Sequence, residues 1–76
     1  MEDLFSTNIS VNNQNVTYRV IFEEDKYTFM SDAEMDEFST FSLKRENDEW
    51  HPVEMLPEAL KKQAVDALEK YLLQQH

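Results

Sequence analysis

Glycine is absent from this 76-residue chain, and so is cysteine. Without glycine there is no phosphate-cradling loop or dinucleotide fingerprint, since both bring the backbone close to the ligand where a Cβ would intrude. Without cysteine there is no disulfide framework, no thiolate metal ligand, no thiol nucleophile and no cysteine redox couple. Cations are scarce: 7 Lys and Arg stand against 16 Asp and Glu, for a net charge of −9. Binding to DNA, RNA or an anionic membrane depends on clustered Lys and Arg that displace counterions, so neither a nucleic-acid nor a membrane partner is expected. No segment approaches the ~20 apolar residues of a membrane span. The stretch MEDLFSTNIS is acidic and lacks an apolar run, so it does not read as a secretory signal, and a cytoplasmic location is expected,.

A chain of this length supports one hydrophobic core, and residues 1–76 are read as a single domain. The acidity is local. Residues 23–56 hold eleven acidic and three basic side chains, while Pro57 to His76 is balanced.

That balanced segment, PEALKKQAVDALEKYLLQQH, reads as one amphipathic helix over about 57–74. Proline at the first helical position needs no amide hydrogen, and Glu58 lies near the positive end of the dipole. At ~100° per residue, Leu60, Ala64, Ala67, Leu68 and Tyr71 form an apolar stripe, flanked by Leu56 and Leu72. Lys62, Asp66, Glu69, Lys70 and Leu73 fall opposite. Such a helix requires a partner layer.

The rest of the chain supplies it, with strands spanning about 4–55. Phe5, Thr7, Ile9 and Val11 alternate with Ser6, Asn8 and Ser10, the pattern of a half-buried strand. After the polar cluster NNQN, Val16, Tyr18, Val20 and Phe22 alternate with Thr17, Arg19 and Ile21. Tyr27 and Phe29 follow the turn at Glu24 and Asp25. With Asn13 and Gln14 as the first loop, Val11 faces Val16, Ile9 faces Tyr18 and Phe5 faces Phe22. With Glu24 and Asp25 as the second, Phe22 faces Tyr27, Val20 faces Phe29 and Glu23 meets Lys26. Opposed residues share a face, so both registers put every large apolar residue except Ile21 and Met30 on one side. Two-residue loops favour positive φ and hence glycine; a four-residue loop keeps the same pairing.

Residues 31–38, SDAEMDEF, admit two readings: a helical turn opened by a Ser31/Glu34 capping box, or an acidic loop. Phe41 and Leu43 mark a fourth strand. After the turn ENDE, Trp50, Val53 and Met55 mark a fifth, with Pro52 pointing to an edge position. The face occupied by Trp50 stays open, because loops of two and three residues give opposite parities. The expected fold is therefore α+β: an antiparallel β-meander of four to five strands with one C-terminal α-helix packed on one face.

Chemistry-bearing constellations are few. Asp32, Glu34 and Asp36 alternate as at the start of a calcium loop, yet Glu37 stands where glycine is required and Leu43 where a bidentate carboxylate is required. They are the candidates for a weak divalent-cation module, and no metal or other cofactor is assigned. His51, with Ser31, Ser39 or Ser42, lacks the strained turn or oxyanion hole that marks a serine nucleophile, so the chain is expected not to be an enzyme. Asn8-Ile9-Ser10 and Asn15-Val16-Thr17 match the glycosylation pattern without a signal sequence to give it meaning. Ile21 and Met30, apolar where solvent is expected, form with Arg19, Glu34, Asp36 and Glu37 the candidate partner-binding set.

The turn NDEW at 47–50 and the run MLPEALKKQAVDALEKYL at 55–72 resemble small uncharacterised bacterial proteins built from a β-meander, a polar turn before Trp, an LP step and one closing helix. That resemblance implies the fold and transfers no activity or site residue. The functional expectation is a small acidic non-enzymatic interaction or accessory domain, monomeric or weakly dimeric, steered toward a basic protein partner by Glu23 to Asp25, Asp32 to Glu37 and Glu46 to Glu49. The alternatives are a nucleic-acid-mimicking inhibitor of a basic protein and the cation-binding module.

Overall fold

The computed structural model describes residues 2–33 and 37–75. Five strands, β1 (Glu2–Val11), β2 (Gln14–Glu23), β3 (Lys26–Ser31), β4 (Thr40–Glu46) and β5 (Glu49–Pro52), precede one helix, α1 (Glu58–Gln74). The strands form a single antiparallel sheet in the order β1-β2-β3-β4-β5. The α+β meander with a C-terminal helix is thus the fold of the chain.

Three two-residue turns hold the hairpins without glycine. Asn12 and Asn13, Glu24 and Asp25, and Asn47 and Asp48 all take positive φ, between 50° and 66°. Such turns match the right-handed twist of the strands they join, and Asn and Asp tolerate this region better than other residues with a Cβ. Glu24 has no such advantage. The β2/β3 register is as expected, with Phe22 opposite Tyr27, Val20 opposite Phe29 and Glu23 opposite Lys26.

The β1/β2 register differs from the expected one. The turn falls on Asn12 and Asn13 rather than on Asn13 and Gln14, so Ile9 faces Val16, Thr7 faces Tyr18 and Phe5 faces Val20. The displacement is by two residues, which preserves the faces. Asparagine, the better residue for positive φ, occupies both turn positions. A bulge between Asp3 and Phe5 then sets Asp3 opposite Ile21 and Glu2 opposite Phe22. The strand includes Glu2 and Asp3, ahead of the expected start near residue 4, and the Asp3 carboxylate lies 3.8 Å from the Arg19 guanidinium.

The core lies between the sheet and α1. Ile9, Val11, Val16, Tyr18, Val20, Phe29, Phe41, Leu43 and Trp50 meet Leu60, Ala64 and Leu68 of the helix stripe, with Phe5, Tyr27, Val65 and Leu72 packed around them. Phe29 and Phe41 stack at 4.9 Å, and Tyr18 meets the edge or face of each. The Tyr18 hydroxyl donates to the Phe38 carbonyl at 2.7 Å, and burial pushes its pKa up. Trp50 belongs to the core side because the two-residue turn at Asn47 and Asp48 sets it opposite Arg45, which shares parity with Phe41 and Leu43.

Two boundaries depart from expectation. β5 ends at Pro52, and Val53 and Met55 are 52% and 93% exposed rather than continuing a strand. The Val53 N–H still donates to the Ser42 carbonyl, while the Glu54 carboxylate accepts the Ser42 N–H at 2.9 Å. A side chain thereby takes the place of the next ladder bond. Pro57 precedes the helix instead of opening it, and its carbonyl accepts the Lys61 N–H at 2.9 Å. Ser31 ends β3, its Oγ accepting the Ala33 N–H at 3.0 Å. The two readings of residues 31–38 turn on Glu34, Met35 and Asp36, which lie outside the described residues.

Candidate functional site

Helix α1 runs against β1, where Tyr71 stacks on Phe5 at 4.8 Å. Its carboxyl-terminal turns leave a space on the other side, toward the β4/β5 hairpin. This is an open groove of about 520 Å³ lined by Arg45, Glu69, Leu72 and Leu73. From Arg45 an aromatic run leads across the same side of the sheet. The guanidinium sits 5.0 Å from the centre of the Trp50 ring, Trp50 meets Tyr27 edge-on at 5.6 Å, and Tyr27 meets Phe22 at 4.8 Å. Phe22 was expected in the core, yet it is 43% exposed. It stands beside the β2/β3 turn, and the shifted β1/β2 register sets Phe5 opposite Val20 and Glu2 opposite Phe22. Leu73, off the helix stripe, is 73% exposed.

The electrostatics of this end are acidic. In a meander the β2/β3 and β4/β5 turns emerge at the same edge, so Glu24 and Asp25 share it with Asp48. Asp48 lies 3.8 Å from Arg45, an exposed pair of small energetic weight,. Glu46 and Glu49 are directly opposed across β4/β5, an arrangement that like charges disfavour. Glu69 lines the groove. The last turn of α1 contains no basic residue, so the negative end of the helix dipole stays uncompensated by a side chain of that turn. The Trp50 indole N–H is buried and has no hydrogen-bond partner among the described residues.

The residues singled out from the sequence lie elsewhere. Arg19 and Met30 are directly opposed on the sheet face away from α1, with Ile21 beside them. Ile21 is 0% exposed, so it is not the surface residue it was expected to be. It occupies the second strand of five, ringed by Asp3, Arg19, Thr28 and Met30, and longer neighbours can close over a side chain so placed,. Thr28 and Ser42, in the same row, are buried and share a hydrogen bond of 2.9 Å. Glu37 is exposed, while Glu34 and Asp36 lie outside the described residues. Of the cation candidates only Asp32 is described, and it is exposed. Among the described residues no group of three His, Asp or Glu could hold a metal ion. His51 is exposed opposite Lys44, and the Ser42 hydroxyl is engaged by Thr28. Among the described residues no hydrogen bond joins His51 to a serine. No helix of the described residues is long and apolar enough to cross a membrane.

The groove was missed because its walls are contiguous only in three dimensions. Leu73 outside the helix stripe and Phe22 beside a charged turn are the sequence signals that point to it. Comparisons with protein-family models, curated proteins and solved structures find no match, so the functional reading rests on this geometry alone.

Proposed function

We propose that the protein is a non-enzymatic binding domain that takes a basic, amphipathic segment of a partner protein into the groove between α1 and the β4/β5 hairpin. The carrying observation is the coincidence of exposed apolar surface with acidity. Leu72, Leu73, Phe22 and Tyr27 offer apolar contact, with Trp50 buried beneath, at the end of the molecule that also carries Glu24, Asp25, Asp48 and Glu69. Apolar anchors supply affinity in such a contact and desolvate the centre. The surrounding carboxylates speed encounter and select a cationic partner. A lysine-rich amphipathic helix, apolar on one side, satisfies both demands.

Trp50, the single tryptophan, is the natural reporter. Titration with a Leu/Lys amphipathic peptide that lacks aromatic residues should change its emission in a saturable way, and the affinity should weaken as salt screens the surface charges. No change in emission, or an affinity indifferent to salt, would count against the reading.

A further inference from the structure

Ser10 lies on the outer edge of β1, and Gln63 reaches it from α1 with both halves of its side-chain amide. Oε1 accepts the Ser10 N–H at 2.9 Å, and Nε2 donates to the Ser10 carbonyl at 3.0 Å. A neighbouring strand would make the same two bonds, so Gln63 stands in for a peptide group. Antiparallel alternation turns the main-chain groups of Asn8 and Ser6 to the same outer side,. Among the described residues no side chain or loop bonds to them.

Sheet edges are ordinarily defended by charge, proline or brevity. β5 has all three, since it is four residues long, begins at Glu49 and ends at Pro52. β1 is ten residues long, and from Leu4 to Tyr18 the chain has no Asp, Glu, Lys, Arg or His, although 30% of all residues are charged. Beside this undefended edge runs a second groove, about 240 Å³, between Phe5, Ser6 and Thr7 on one side and Ala67, Lys70 and Tyr71 on the other.

We propose that β1 from Phe5 to Ile9 is a strand-addition site for a short, uncharged, extended segment of a partner protein. Gln63 closes the site at Ser10, and the bulge near Leu4 closes it at the other end. Main-chain bonds to Ser6 and Asn8 hold the segment, and an apolar side chain enters the groove beside the stacked Phe5 and Tyr71 rings,. A second copy of this chain is a poor occupant. Any such pairing would join two chains of charge −9 each, and the register centred on Asn8 would also set Ser6 against Ser10 of the other copy, whose outer groups Gln63 already holds. The site is separate from the acidic groove and stands or falls without it.

The test is a titration of the amide-labelled protein with the peptide acetyl-Thr-Val-Thr-Val-Thr-amide, followed by NMR. The amide resonances of Ser6 and Asn8 should shift, and N-methylation of alternate peptide residues should abolish the effect. Asn8→Pro removes an outward N–H without removing a bond to β2, and should eliminate binding. Gln63→Ala frees Ser10, and should extend the shifted set to Ser10 and tighten binding several-fold. The proposal is overturned if Ser6 and Asn8 stay unshifted at the highest soluble peptide concentration. Shifts in the wild type that Gln63→Ala neither extends nor strengthens, or sedimentation showing a dimer that Ser6→Lys dissolves, would overturn it equally.

Discussion

The Tyr18 hydroxyl donates to the main-chain carbonyl of Phe38 at 2.7 Å, tying the centre of the sheet to the β3/β4 connection. Phe38 has φ 63°, a conformation disfavoured for a bulky residue,. Two bonds flank that strained position, the one from Tyr18 and the Ser31 N–H donating to the Ser39 carbonyl at 2.8 Å. Tyr18→Phe keeps the packing and removes the first, so it should cost about 1–2 kcal/mol in chemical denaturation. Faster hydrogen exchange at the Ser31 amide should accompany the loss.

The same residue predicts a response to pH. Burial raises the Tyr18 pKa, so the folded state retains the phenol proton where the unfolded chain has lost it. Its contribution is complete below the unfolded value of about 10 and falls as pH rises toward and through the folded pKa. Denaturation midpoints measured above that value should decline with pH more steeply in the wild type than in Tyr18→Phe.

At the β2/β3 turn, Glu24 and Asp25 have φ 52° and 62°. Replacing the pair with Asn-Gly removes Cβ strain at the second position and should stabilise by roughly 0.5–1 kcal/mol. The exposed Lys26–Glu24 contact of 3.8 Å is lost at little cost. A higher melting temperature with an unchanged fold is the expected result.

Thr28 and Ser42 provide a double-mutant cycle on the face away from α1, where both are buried and bonded to each other at 2.9 Å. Thr28→Val alone leaves the Ser42 hydroxyl without its side-chain partner and should cost about 1–3 kcal/mol. Thr28→Val combined with Ser42→Ala removes both polar groups and should cost less than the sum of the single changes.

The helix separates stability from binding. Leu68 is buried, and Leu68→Ala should destabilise by about 2–5 kcal/mol. Leu73→Gln should leave stability within about 0.5 kcal/mol while weakening a Leu/Lys peptide about tenfold, or ~1.4 kcal/mol. Arg45→Gln removes a cation from the groove and should strengthen that peptide. Calorimetric titration alongside thermal melts distinguishes the two classes.

The division of labour between faces was legible in the sequence, because period-two alternation and the helical stripe each specify a buried side whatever the exact loop. This is why a two-residue error at Asn12 and Asn13 left Ile9, Val16 and Tyr18 on the correct face. Parity alone did not place Trp50, because the face depended on whether two or three residues turned the chain after Glu46. Nor did it anticipate Ile21, whose burial depends on what surrounds it in the assembled sheet, or Phe22, which lost Phe5 as its cross-strand neighbour when the β1/β2 turn fell one residue earlier. The groove depends on where α1 crosses the sheet. Leu73 and Arg45 have no local pattern in common.

The central claim is that the acidic, apolar end of the molecule receives a cationic segment, and mapping amide shifts during titration with the Leu/Lys amphipathic peptide tests it most directly. The account predicts shifts concentrated at Tyr27, Arg45, Trp50 and residues 69–73, weakening with added salt and largely lost in Leu73→Gln. Shifts centred on Arg19, Met30 and Thr40 across the opposite face, with the groove residues unmoved, would contradict it.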